Sequence, residues 1–101
     1  IVSSGGDGAN IAGDGGDVEL FGASASNTGD INVNGANAST TDDLVDSFGG
    51  HGGFVEISGI GLQAPASNTG TVTYSFGTGD TNGEEGCLRV GLTFEGNCSP
   101  F

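Results

Sequence analysis

Cationic side chains are almost missing from this sequence. Arg89 is its one Lys or Arg residue, and thirteen Asp and Glu residues give a formal net charge of −12 at pH 7. Nucleic-acid binding needs clustered Lys and Arg to displace counterions from phosphates, so that class is excluded. An anionic membrane surface is excluded on the same ground. No apolar run approaches the ~20 residues of a spanning helix, and no membrane insertion is expected. Methionine is absent, so Ile1 is not a translational start, and residues 1–6 have neither the basic nor the apolar region of a signal peptide. The expectation is a processed chain, secreted to the extracellular space or cell surface after loss of its leader.

Other shortages exclude chemistry. One histidine, His51, and two cysteines are too few for a structural zinc site, and no acid or thiol accompanies His51 in a nucleophilic arrangement. No enzyme is expected, and His51 reads as an exposed turn residue. With no tryptophan and one tyrosine, the chain has few rings on which to stack sugars. Apolar residues make up 34% of the 101 residues, little core for a single domain, and 22 glycines raise the entropy lost on folding. Small domains of this kind rely on disulfides, metals or association. Glycine also rules out long helices; one helical turn over Thr40–Phe48 is the most the pattern allows.

What is abundant is repetition. Gly13-Asp14-Gly15-Gly16-Asp17-Val18-Glu19 returns 37 residues later as Gly50-His51-Gly52-Gly53-Phe54-Val55-Glu56. Ala25-Ser26-Asn27-Thr28-Gly29 returns 41 residues later as Ala66-Ser67-Asn68-Thr69-Gly70. Each second half leads into an alternating run, Ile31 with Val33 and then Val72 with Tyr74 and Phe76. Together with Val18/Leu20, Val55/Ile57 and Leu88/Val90 these are half-buried strands, separated by Gly, Asn, Asp, Ser and Thr clusters that turn readily. Residues 1–10 and 77–86 read as loops or flexible segments. A duplicated strand-turn-strand unit belongs to architectures that stack or pair copies.

Over residues 13–35 and 50–76, about half the chain, Gly-x-Gly-Gly-x-Val-x-[Leu/Ile] followed by Asn-Thr-Gly-x-[Ile/Val] resembles the repeats of filamentous-haemagglutinin-type secreted adhesins. The resemblance implies an all-β chain folded as a short right-handed parallel β-helix. Gly15, Gly16, Gly29, Gly52, Gly53 and Gly70 would then stand at corners. Val18, Leu20, Ile31, Val33, Val55, Ile57, Val72 and Tyr74 would point inward. Here two copies allow only four or five coils, and the cysteine segment has no counterpart in the motif. The alternative is a β-sandwich that polymerises by strand addition. Either way residues 1–101 form one domain, with a glycine-rich lead-in over 1–12 and a cysteine-bridged C-terminal segment over 87–98.

Cys87 and Cys98 are the only cysteines, and a disulfide is their expected state. Leu88, Val90, Leu92 and Phe94 alternate like one strand, which would hold the sulfurs roughly 35 Å apart. A bridge needs Cα atoms about 5.5 Å apart. Either the chain doubles back, near Gly91–Thr93 or at Glu95-Gly96-Asn97, or the bridge is not intramolecular; doubling back is the expectation. Gly5–Gly13 resembles the glycine-rich nonapeptide that binds calcium between β-roll turns, with Asn10 where that motif has aspartate and no tandem neighbour. Asp7, Asp14 and Asp17 are the candidate ligands; no cofactor is expected beyond this Ca2+. Asp42, Asp43 and Asp46 form an acidic cluster without a calcium-loop pattern. Asn37 and Asn97 begin glycosylation sequons. Arg89, out of phase with Leu88 and Val90, is expected in an ion pair or an intersubunit contact. Ile1, Val2 and Phe101 are apolar ends suited to anchoring a neighbour.

These features predict a structural subunit of an extracellular filament, sheath or adhesin that assembles through β-strand edges. Its partners would be copies of itself or a pilin-like chain. The alternative is a calcium- or carbohydrate-binding secreted module.

Overall fold

Val18 with Leu20, Ile31, Val55 with Ile57, Val72, and Leu88 with Val90 all fall on strands, whereas Val33, Tyr74 and Phe76 lie just beyond them. The structure, a computed structural model, describes residues 1–39, 46–60 and 65–98. It is all-β. Its strands are β1 (Asp17–Gly22), β2 (Ala25–Asn27), β3 (Asp30–Asn32), β4 (Phe54–Gly59), β5 (Ala66–Asn68), β6 (Thr71–Thr73), β7 (Cys87–Val90) and β8 (Thr93–Gly96). No helix occurs among the described residues, and most of the segment read as a helical turn, residues 40–45, lies outside them.

The repeat offsets are the strand registers. β1 lies parallel to β4 with Val18 beside Val55, a shift of 37. β2 lies parallel to β5 with Ser26 beside Ser67, and β3 parallel to β6 with Ile31 beside Val72, both shifts of 41. Similar segments therefore sit beside their own copies. Two residues link β1 to β2 and six link β4 to β5, which accounts for the four-residue difference between shifts.

A third level, not apparent as a sequence copy, extends the pile. β7 lies parallel to β4 with Leu88 beside Val55, giving the sheet order β1-β4-β7-β8. The same backbone contacts recur at all three levels. Gly13, Gly50 and Gly83 donate N–H to the carbonyls of Gly6, Ala36 and Gly77 at 2.8, 2.9 and 3.0 Å. Gly16, Gly53 and Gly86 donate to those of Ser3, Val33 and Tyr74 at 2.6, 2.7 and 2.7 Å. The segments read as loops, 1–10 and 77–86, are thus laid into register by backbone hydrogen bonds, with isolated parallel bridges at Val2–Asn32, Gly8–Ala38 and Phe48–Thr81. Such bonding satisfies the polar backbone of segments with few side chains to pack.

Glycine makes this approach possible. A Cβ on Gly53 would collide with the carbonyl oxygen of Gly16, one on Gly86 with that of Gly53, and one on Gly70 with that of Gly29. Of the expected corner glycines, Gly29 alone has open space around its missing side chain. All the residues expected to face inward do so. Ile31, Val33, Val55, Ile57 and Leu88 form the buried core, and Val18, Leu20, Val72, Tyr74 and Val90 pack against it.

The run from Leu88 to Phe94 is two strands rather than one. The chain reverses at Gly91, whose φ of +58° favours a residue without Cβ. β8 then returns antiparallel to β7, with Cys87 opposite Gly96. Cys98 consequently reaches Cys87, and the two form a disulfide with Cα atoms 4.9 Å apart.

Candidate functional site

Parallel registration puts equivalent side chains in columns, and two columns carry most of the polar chemistry. In the first, each side chain receives a backbone N–H from the next level. The Asp14 carboxylate accepts the N–H of His51 at 2.8 Å, and His51 Nδ1 accepts that of Glu84 at 2.8 Å. Asn34 and Asn37 repeat the device, their Oδ1 atoms accepting Ser75 N–H and Thr78 N–H at 2.9 Å. Asn27 donates from Nδ2 to Gly29 O at 2.9 Å and to Asn68 Oδ1 at 2.8 Å, so equivalent asparagines hold each other directly.

The second column crosses the outer face of the four-stranded sheet. Glu19, Glu56, Arg89 and Phe94 occupy register-matched positions on β1, β4, β7 and β8. Arg89 donates to Glu56 Oε1 at 3.1 Å and to Gly91 O at 2.9 Å, and its guanidinium lies 5.6 Å from the Phe94 ring centre. The sole Arg is thus used within the chain. Glu19, directly beside Glu56, meets a like charge instead.

A surface groove of about 390 Å³ includes Asp14, Asp17, His51, Glu84, Glu85 and Asn97 in its lining. Asp7 is not part of it. Among the described residues no three His, Cys, Asp or Glu side chains are grouped to hold a metal ion, so Asp7, Asp14 and Asp17 are not brought together as one cluster of carboxylates. His51 is exposed, as its turn position implied, but its role as an acceptor for Glu84 was not legible. The signal would have been its equivalence to Asp14, another acceptor side chain at the same repeat position.

A second groove is lined by Asn34, Val72, Thr73, Tyr74, Phe76 and Glu85 among others. Burial raises the Tyr74 phenol above its ordinary value of 10.0, and the Glu95 and Glu85 carboxylates push it the same way. Of the expected anchors, Ile1 and Val2 are exposed, with the Ile1 ammonium donating to Asp30 O at 2.8 Å. Phe101 lies outside the described residues. The sequon residues Asn37 and Asn97 are both exposed, and Asn97 donates its backbone N–H to Gly86 O beside the disulfide.

The two ends of the pile differ. β4 in the middle is fully buried at Val55 and Ile57, and Leu88 on β7 is 3% exposed, whereas their counterparts Val18 and Leu20 on β1 are only half-buried. At the other end, β8, the disulfide and the Asn97–Gly86 bond lie over β7. Glu85 stands there in the place of Gly15 and Gly52, whose missing Cβ atoms face the backbone of the next level at Val33 and Tyr74. A further level of the same kind would meet the Glu85 side chain. No protein-family model matches the chain, and neither a curated protein nor a solved structure matches it.

Proposed function

We propose that this chain is a non-catalytic structural subunit of an extracellular filament, sheath or adhesin, built as a short right-handed parallel β-helix and joined to its neighbours through strand edges. The observation that carries this reading is the parallel, in-register repetition of one set of backbone and side-chain contacts at three levels. Such a pile buries apolar surface by adding levels, so contact with another strand supplies burial that a 101-residue, glycine-rich chain lacks by itself. Parallel pairing between copies also favours the β-helix over a sandwich, whose sheets are commonly antiparallel. The Cys87–Cys98 disulfide is compatible with an oxidising, extracellular setting. With a net charge of −12, association requires salt to screen repulsion.

Light scattering and negative-stain microscopy of the purified chain, with and without calcium at matched ionic strength, test the reading. Filaments or ordered oligomers forming without calcium are the expected result. A monomer that gains thermal stability only on adding calcium would overturn it in favour of the cation-binding module.

A further inference from the structure

The half-buried face of Val18 and Leu20 lies on a strand whose second edge has no partner among the described residues. In a parallel ladder alternate residues direct both backbone groups to one side. The Gly22 carbonyl accepts Ile60 N–H, so Gly22, Leu20 and Val18 bond toward β4. The N–H and C=O groups of Asp17, Glu19 and Phe21 consequently point to the open edge. Three features converge there: a six-residue backbone template, two half-buried apolar side chains whose counterparts Val55, Ile57 and Leu88 are buried, and the one carboxylate of the Glu19–Glu56–Arg89 column that no cation answers.

We propose that β1 accepts a separate extended strand in which a Lys or Arg alternates with apolar residues, the cation lying opposite Glu19 and the apolar residues covering Val18 and Leu20. This rests on the edge-assembly reading above and names the partner's chemistry. β7 itself supplies the precedent, with Leu88 and Val90 facing the core side and Arg89 pairing with Glu56 across the adjacent register. At this edge a second copy does not meet the requirement, which leaves self-assembly to the edges of the two-stranded sheets β2-β5 and β3-β6. The copy's Arg89 is engaged by Glu56, Gly91 and Phe94, and the sequence has no lysine. Its other edge strand, β8, presents Thr93 and Glu95 on the side that continues Val90 and Leu88, an acid and a hydroxyl where apolar cover is needed. Strand addition of this kind draws affinity from main-chain bonds and specificity from alternate side chains.

The test uses the intact, oxidised chain and two fluorescein-labelled peptides, Ser-Thr-Leu-Arg-Val-Thr-Ser and the same peptide with Glu for Arg, followed by anisotropy at low salt. The Arg peptide is expected to bind about tenfold more tightly than the Glu peptide, the sum of an opposite-charge pair gained and a like-charge pair avoided. Glu19→Lys should invert that preference. Glu19→Pro should abolish binding while keeping the fold, because the N–H it removes points outward, where an edge strand tolerates proline. Equal affinity for both peptides, or binding retained by Glu19→Pro, would overturn the proposal. So would sedimentation showing a dimer of the unmixed chain that Glu19→Pro dissociates, since the occupant would then be a second copy. Ordered assemblies that persist in Glu19→Pro, with no peptide bound by the parent, would sink this inference and leave the structural reading standing. Peptide binding without assemblies would do the reverse.

Discussion

Gly53 and Gly29 separate two uses of glycine in this chain. At Gly53 a methyl group would drive into the Gly16 carbonyl, a backbone atom held by the level above, and neither side can yield without shifting a strand. Gly53→Ala should therefore cost roughly 2–3 kcal/mol of stability in urea unfolding, as overpacking against fixed backbone does. At Gly29 nothing lies within 4 Å of the missing side chain and φ is not positive, so Gly29→Ala should change stability by no more than about 0.5 kcal/mol, with a gain allowed by the stiffer unfolded chain. Equal losses at the two positions would refute the account of corner packing. Tyr74 offers a second residue-scale test. Its folded pKa is raised above 10.0 by burial and then by Glu95 and Glu85, so the folded chain holds the phenol proton more tightly than the unfolded one. That contribution to stability is complete below pH 10 and disappears as pH rises through the folded pKa. Since Tyr74 is the only tyrosine, tyrosinate absorbance reports it alone. It should titrate above the value of a free phenol, and Tyr74→Phe should reduce the alkaline loss of stability.

At the scale of elements, the C-terminal hairpin differs from the levels that precede it. β8 runs against the parallel order, and its attachment depends on the Gly91 reversal and on the Cys87–Cys98 bridge, which closes a separation of 11 residues. A loop of that length predicts a stabilisation of about 3 kcal/mol. Urea unfolding with and without reductant should show that difference, and with reductant β8 amides should exchange faster than those of β4. A uniform rise in exchange across β1, β4 and β7 would instead show that the bridge supports the whole pile. The elements also differ in how far they could be read. β1, β3, β4 and β6 were legible because apolar alternation and repeated words coincide there, whereas β2 and β5, both Ala-Ser-Asn, carry no apolar alternation and read as turn clusters. β7 as a third copy was obscured because Glu85 replaces the middle glycine and Cys87-Leu88-Arg89-Val90 shares only its apolar phase with Asp17-Val18-Glu19-Leu20. The hairpin was legible only as a requirement of the cysteines, since alternation from Leu88 to Phe94 runs unbroken through the turn. The side-chain column Asp14–His51–Glu84 was not legible, because its logic lies between levels rather than along the chain.

For the molecule as a whole, charge and packing oppose each other. Parallel registration that places similar residues side by side also stacks like charges, as Glu19 beside Glu56 shows, and Arg89 offsets only one such pair. The remaining carboxylates repel one another, and at low ionic strength a Debye length of ~30 Å leaves that repulsion weakly screened. Added salt should therefore stabilise the fold. We expect the thermal midpoint to rise by about 5 °C between low and high NaCl, equivalent to about 1 kcal/mol for a domain of this size. Calcium chloride at matched ionic strength separates screening from coordination. The Asp14 carboxylate already accepts the His51 N–H, and no group of three ligands is assembled among the described residues, so calcium should raise the midpoint no further than sodium. A saturable increase specific to calcium, lost in Asp14→Asn or Asp17→Asn, would show that these carboxylates bind the ion after all and that screening alone does not govern the stability of the pile.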